Sequence, residues 1–209
     1  MLIDYFKGNE NMSNKEEKTP VDHLKKKESE NNKEYGSVKA ALFDYAKTFI
    51  IIFVVVFILS QFVYINATIP SGSMQNTIMQ GDRIFGNRLA YIKDDPERYD
   101  IIIFKYPDDT SKTFIKRIIG LPGETVEIKD GNVYINGSET PLDDCFCAEE
   151  TEGEFGPYVV PEDSYFVMGD NRNNSLDSRY WNNKFVSKDQ ILAKAVFRYW
   201  PFSSISFVE

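Results

Sequence analysis

Between Thr48 and Ala67 the chain reads TFIIIFVVVFILSQFVYINA, twenty residues without a charged side chain. As a helix rising about 1.5 Å per residue, such a run matches the hydrocarbon thickness of a bilayer. Ser60 and Gln61 are its only strongly polar members before Asn66, and Tyr64 stands where interfacial aromatics belong. A buried helix of a soluble domain would show an amphipathic pattern, and none is present. The run is too long, and the tail before it too extended, for a removable signal peptide. It predicts one membrane-spanning helix over 48–67, which separates a tail, 1–47, from a downstream domain, 68–209. The tail holds nine Lys and nine Asp or Glu, and is rich in Asn and Ser. That composition offers too little apolar area to offset the entropy of ordering, so the tail is expected to be mostly disordered. The Lys25-Lys26-Lys27 triplet could attract anionic lipid, but the glutamates around it weaken that reading. Lys33, Lys39 and Lys47 lie upstream of the run and only Arg83 lies close downstream, which favours a cytoplasmic tail.

The net charge of −8 resides entirely in residues 68–209, with 15 Lys and Arg against 23 Asp and Glu. An acidic domain excludes nucleic acid as the natural partner, because phosphates reward clustered cations. Cys145 and Cys147 are too few for a disulfide framework, and a bridge across one residue would be strained. They read as free thiols or a labile pair without catalytic duty. With one distant His there is no zinc set. Downstream of the apolar run, strands are expected at 100–106, 113–120, 125–128, 133–135, 165–168 and 193–200, with a Gly131 turn closing the hairpin of the third and fourth. A short helical turn is expected at 188–192, and the acidic stretch 139–157 reads as an insertion loop. The fold class is mainly β, an antiparallel-sheet domain tethered by one N-terminal transmembrane helix.

Ser73, in Ile69-Pro70-Ser71-Gly72-Ser73-Met74, is a nucleophile only if a base takes its proton. The sole histidine, His23, lies on the other side of the apolar run. Either Ser73 is an ordinary turn serine or its base is of another kind. A carboxylate is a weak base for a hydroxyl, whereas a lysine amine is strong enough once desolvated. Lys116 is placed for that. Strand alternation sets it between Phe114 and Ile118 on one face and turns Arg117 to the other. The competing reading is a strand lysine snorkelling to water. The polar stretch Gly169-Asp170-Asn171-Arg172-Asn173-Asn174-Ser175-Leu176-Asp177-Ser178-Arg179 reads as a bland loop or as a supporting shell of hydroxyls and Asp–Arg pairs. A calcium loop is excluded by Arg172 and Trp181 at ligand positions. Two other serine templates fail as well: Ser-x-x-Lys would need Lys at Asn76, and Gly-x-Ser-x-Gly would need Gly at Gln75.

Three stretches together resemble the motif boxes of bacterial type I signal peptidases: Pro70–Met74, Phe114–Arg117 with Ile119–Glu124, and Met168–Arg172 through Ser175 and Asp177–Arg179. They come in the family's order after a single anchor, and the similarity runs from about residue 40 to Phe202. The resemblance implies a membrane-anchored Ser–Lys serine endopeptidase that removes signal peptides from exported preproteins. It implies an all-β catalytic domain on the outer face of the cell membrane, with the bilayer and the secretion translocon as further partners and no cofactor or metal. Carried over by position, Ser73 resembles the nucleophile and Lys116 its general base. Ser71 and the Ser73 N–H resemble the oxyanion hole, and Ser175 the residue orienting the amine. Asp170 is expected to pair with Arg117, Asp177 with Arg179, and Met74 to pack beside the nucleophile. The chain departs from the family at Asn76 (usually Pro), Tyr99 (usually Gly) and Asn173 (often Asp). Alternatives of other kinds are a silent anchored β domain that binds exported or envelope proteins, and a Ser–Lys protease acting on its own chain or on one regulator.

Overall fold

The computed structural model describes residues 20–208. Helix α1 spans Pro20–Ile58, followed by a π-helical turn at Leu59–Val63. Across the two, Val38–Val63 is long and apolar enough to cross a membrane. Its side chains, among them Phe49, Ile51, Phe53 and Phe57, are exposed. An apolar surface on every side suits lipid. Ser60 donates back to the Phe57 carbonyl, so its hydroxyl stays satisfied inside the apolar stretch.

Two expectations need correction here. Residues 20–47, part of a tail expected to be mostly disordered, are helical. Lys, Glu and Ala are good helix formers, and helix extending from an apolar segment does not bear the cost of a new nucleus. Pro20 suits the first helical position, where its missing N–H costs nothing. The expected disorder of residues 1–19 lies outside the described residues. At the other end, the helix does not continue to Ala67: Tyr64 turns to extended backbone and opens strand β1, Tyr64–Thr68. Ile65 and Ala67 pack towards the sheet's core and outweigh the helical continuity of the run.

Ten further strands follow: β2 Arg83–Asn87, β3 Ile101–Tyr106, β4 Asp109–Gly120, β5 Thr125–Lys129, β6 Asn132–Ile135, β7 Phe155–Val159, β8 Ser164–Met168, β9 Val186–Ser187, β10 Ile191–Trp200 and β11 Ser206–Phe207. Among the described residues they form one sheet in the order β1-β2-β10-β3-β4-β8-β9, with β11 beside β10, and a second in the order β6-β5-β7. Every pairing is antiparallel. The six strands expected from apolar patterning are present, as is a 3-10 turn at Lys188–Gln190. The β5–β6 turn has Asp130 and Gly131 both at positive φ, the geometry a two-residue hairpin favours. The short or weakly apolar strands β1, β2, β7, β9 and β11 have no comparable signal, and β7 begins inside the expected insertion loop.

The longest strand, β4, positions the site. It pairs with β3 from Asp109 to Arg117, but with β8 only from Arg117 to Gly120. The half that carries Thr113–Lys116 therefore has one edge unpaired among the described residues. Beneath lie apolar clusters, one built on Ile69, Met74, Ile78, Ile84 and Ile103, another on Ile102, Phe104, Ile118, Val167 and Trp181. Met74 is fully buried, as expected of the residue beside Ser73. Where β2 crosses this core, a Cβ on Gly86 would lie 2.6 Å from Ile65 Cγ2 and 2.8 Å from Ile103 Cδ1. Gly86→Ala should therefore lower the unfolding free energy by about 1–3 kcal/mol, read as a shift in the denaturant midpoint of the full chain in micelles. An unchanged midpoint would contradict this packing.

Candidate active site

Ser73 sits in a tight turn after Pro70, closed by Gln75 N–H to the Gly72 carbonyl (3.0 Å) and Ile78 N–H to the Met74 carbonyl (2.8 Å). Lys116 rises from the middle of β4, where alternation sends it to the Phe114 side; its amine lies 5.6 Å from that ring's centre. The two residues are 43 apart in sequence, yet Lys116 Nζ is 2.6 Å from Ser73 Oγ. Nζ also donates to the Ile115 carbonyl at 3.0 Å. Lys116 is 4% exposed and Ser73 8%, so the amine does not snorkel. Burial lowers its pKa to about 8, against an upward pull from Asp177 and Asp170 and a smaller downward push from Arg179. Ser71 Oγ is 3.5 Å from Ser73 Oγ, on the exposed side of the turn.

Two buried ion pairs lie behind the dyad. Arg117 Nε and Nη2 donate to the two oxygens of Asp170 at 2.9 and 2.8 Å. Arg179 Nε and Nη2 do the same to Asp177, both at 2.8 Å. Both expected pairs are thus present and bidentate, the strong geometry for such contacts. Asp177 Oδ2 also accepts the Gly169 N–H at 3.0 Å. Ser178 ties this loop to β8 by accepting the Val167 N–H at 3.0 Å.

Gly169 lies close to Ser73. A Cβ there would come 2.3 Å from Ser175 Oγ and 2.4 Å from the Ser73 carbonyl oxygen, so only glycine fits. Ser175 is buried, but its hydroxyl has no hydrogen-bond partner among the described residues. The expected contact from Ser175 to the lysine amine is therefore not made in this structure. The Ile115 carbonyl takes that place, an acceptor on the backbone that residue patterns do not reveal.

Patterns also passed over Asn171 and Thr77. The Asn171 N–H donates to the Ser73 carbonyl (3.1 Å) and its side-chain amide to the Gly72 carbonyl (3.0 Å). Asn171 stands in a recognisable box; Thr77, which donates to Asp170 Oδ2 at 2.5 Å, carries no signal. Asn76 and Tyr99, the two departures near the site, both have positive φ, 85° and 73°. Asn tolerates that region, whereas for Tyr it is strained. Tyr99 is held by its N–H to the Ile118 carbonyl (2.9 Å), by Arg117 Nη1 to its own carbonyl (3.0 Å), and by its ring against Phe146. Cys145 and Cys147 are free, and burial pushes the Cys147 thiol up to about 12, which makes it inert at neutral pH.

In front of the dyad opens a cleft of about 410 Å³, lined by Pro70, Ser71, Thr113, Phe114, Ile115, Asn174 and Leu176. A hydroxyl beside a buried amine, in a cleft bordered by an unpaired strand edge, has the chemistry of a serine hydrolase acting on extended peptide.

The family model for signal peptidases, peptidase S26, matches residues 42–200. A probable signal peptidase I-2 from Synechocystis sp. is 44% identical over 146 residues, 67% of this chain and 65% of that protein. The signal peptidase I of Bacillus amyloliquefaciens is 38% identical over 181 residues, 83% of this chain and 96% of that one. A crystal structure of a signal peptidase I from Enterococcus faecalis is 37% identical, covers 48% of this chain and 97% of its own, and has a TM-score of 0.41. The chain belongs to the signal peptidase family, peptidase S26. It is a membrane-anchored serine peptidase of the class that removes signal peptides.

The buried amine makes a thermodynamic prediction. Its folded pKa lies below the unfolded value, so the unfolded state binds more protons between pH 8 and about 10.5, and stability rises with pH across that window. Below pH 8 the full cost applies, about 3 kcal/mol at 1.36 kcal/mol per unit. Lys116→Met should raise the unfolding free energy at pH 7 by about 1–3 kcal/mol, after its lost hydrogen bonds are counted, and flatten the rise. Denaturant titrations at pH 7 and 10 check this; an equal pH slope in both proteins would contradict the burial cost.

Proposed function

We propose that Ser73 is the nucleophile and Lys116 the general base in cleavage of signal peptides from preproteins. The observation that carries this is the 2.6 Å separation of Nζ and Oγ in a buried setting. When the amine is neutral, its lone pair accepts the Ser73 hydroxyl proton over that distance while Oγ bonds to the scissile carbonyl carbon. The carbonyl oxygen becomes an oxyanion, stabilised by the Ser73 N–H and the Ser71 hydroxyl. Lys116 then passes its proton to the leaving amine as the peptide bond breaks. It next takes a proton from water, which attacks the ester carbonyl, and returns that proton to Ser73 Oγ as the ester bond breaks and the acyl group leaves as the acid. Asp170 with Arg117 and Asp177 with Arg179 hold the surrounding loops, and the Ile115 carbonyl orients the amine.

The substrate binds as an extended strand along the free edge of β4 at Thr113–Ile115, with small side chains entering the cleft on either side of the dyad. The lysines upstream of the apolar stretch, against Arg83 downstream, support a cytoplasmic tail and a catalytic domain on the outer face. The chain can carry Ser73 at most about 35 Å from Val63, over ten residues. A preprotein delivered by the secretion translocon and cut where its own apolar segment leaves the bilayer would meet Ser73 there.

The test is cleavage of a secretory precursor by the full chain in vesicles. Ser73→Ala should abolish it. The wild-type rate should rise about tenfold per pH unit below pH 8 and level off above, because only the unprotonated amine is a base. Lys116→Ala should lose that limb and on the order of 10²–10⁴-fold in rate. Cleavage that survives in Ser73→Ala, or a limb that persists without Lys116, would overturn the assignment.

A further inference from the structure

The acidic stretch between β6 and β7 reads as a surface insertion, yet it reaches inward at two points. Asp144 Oδ2 and Oδ1 accept Arg172 Nη1 and Nη2 at 2.5 and 3.0 Å. Arg172 is 1% exposed, and Asp144 is its carboxylate partner among the described residues. The same guanidinium donates from Nε to the Gly169 carbonyl at 3.2 Å, and the Arg172 carbonyl accepts Arg179 Nη2 at 2.6 Å. The residue before it, Asn171, holds the Ser73 carbonyl and the Gly72 carbonyl. A run of direct contacts therefore leads from Asp144 to the backbone of the nucleophile.

The second point is Phe146. Its ring centre lies 4.0 Å from the Arg117 guanidinium and 5.9 Å from that of Arg172, with Tyr99 packed edge-on at 5.5 Å. Arg117 adjoins Lys116 in β4 and pairs with Asp170. Tyr99, held at positive φ, packs edge-on against the same ring. The two inward contacts of the insertion thus end on the two halves of the dyad, one through Arg172 and one through Arg117.

We propose that Asp144 and Phe146 are positioning residues, through which the insertion sets the approach of Ser73 to Lys116. The proposal rests on the dyad reading above. A buried guanidinium deprived of its carboxylate must find water or another acceptor, and in moving it releases the Gly169 carbonyl and the 171–172 backbone. Removal of the Phe146 ring uncovers Arg117 and takes away the packing that keeps Tyr99 in its strained conformation. A small displacement of a nucleophile from its base lowers the chemical step steeply. Neither Asp144 nor Phe146 lines the substrate cleft, so binding should be spared.

The experiment compares kcat and KM for precursor cleavage by the full chain in vesicles, at a temperature well below each variant's melting point. Asp144→Ala and Phe146→Ala should each lower kcat by about tenfold or more, with KM held within about twofold. Asp144→Glu and Phe146→Tyr, which keep the charge and the ring, should recover most of the loss; Glu149→Gln, in the same insertion but outside these contacts, should match the wild type. If the alanine variants do not fold, Asp144→Asn and Phe146→Leu take their place, with the same fall in kcat expected. A folded variant with undiminished kcat, or a loss confined to KM, overturns the positioning role. Failure of the wild type itself to cleave would instead count against the dyad reading, which separates the two.

Discussion

The structure depends on keeping one lysine amine out of water without giving it a carboxylate to pair with. Two buried carboxylates, Asp170 and Asp177, are near enough to pull the Lys116 pKa upward. Each is already engaged by a guanidinium on both oxygens, Arg117 and Arg179 respectively. The amine is left with a hydroxyl and a backbone carbonyl, neutral acceptors that orient it without fixing its charge. Desolvation therefore prevails, and the amine's pKa falls to about 8. The cost to folding is borne by apolar clusters on the strands that carry the site.

Ser73 is held in a different way. Met74 and Ile78 anchor the turn in the core, and Ser73 itself is positioned by backbone pressed against it. Gly169 permits the approach because a methyl group would collide with the Ser73 carbonyl. Asn171 then secures that carbonyl and its neighbour from one residue. The polar stretch after β8 thus acts less as a source of reactive groups than as a mould for the turn. Its many ionic and hydrogen-bonding residues serve to keep a close-packed irregular loop from losing satisfied polar groups inside the protein.

Strain at Tyr99 and the presence of the insertion are one packing solution. A tyrosine at positive φ costs free energy that glycine would avoid. Here its ring meets Phe146, its carbonyl meets Arg117, and the insertion is drawn over the ion pairs behind the dyad. The acidic character of the loop is likewise selective: most of its carboxylates face water, while Asp144 neutralises a buried arginine.

The apolar run, the alternating strands, the Asp130-Gly131 hairpin turn, and the residue types Ser73, Lys116, Asp170 with Arg117 and Asp177 with Arg179 were all legible in the sequence. Each rests on local periodicity or on a short motif with its own physical meaning. The helical stretch upstream of the run was not, because its composition fits both a disordered tail and a helix extended from an apolar segment. Nor was the change to strand at Tyr64, which is settled by pairing with Arg83–Asn87. The separation of Ser73 from Lys116, the Ile115 carbonyl as the amine's second acceptor, the Ser175 hydroxyl left without a partner among the described residues, and the inward reach of Asp144 and Phe146 belong to tertiary structure alone. They join residues tens of positions apart, or backbone atoms that every residue shares, and neither kind of contact leaves a pattern along the chain.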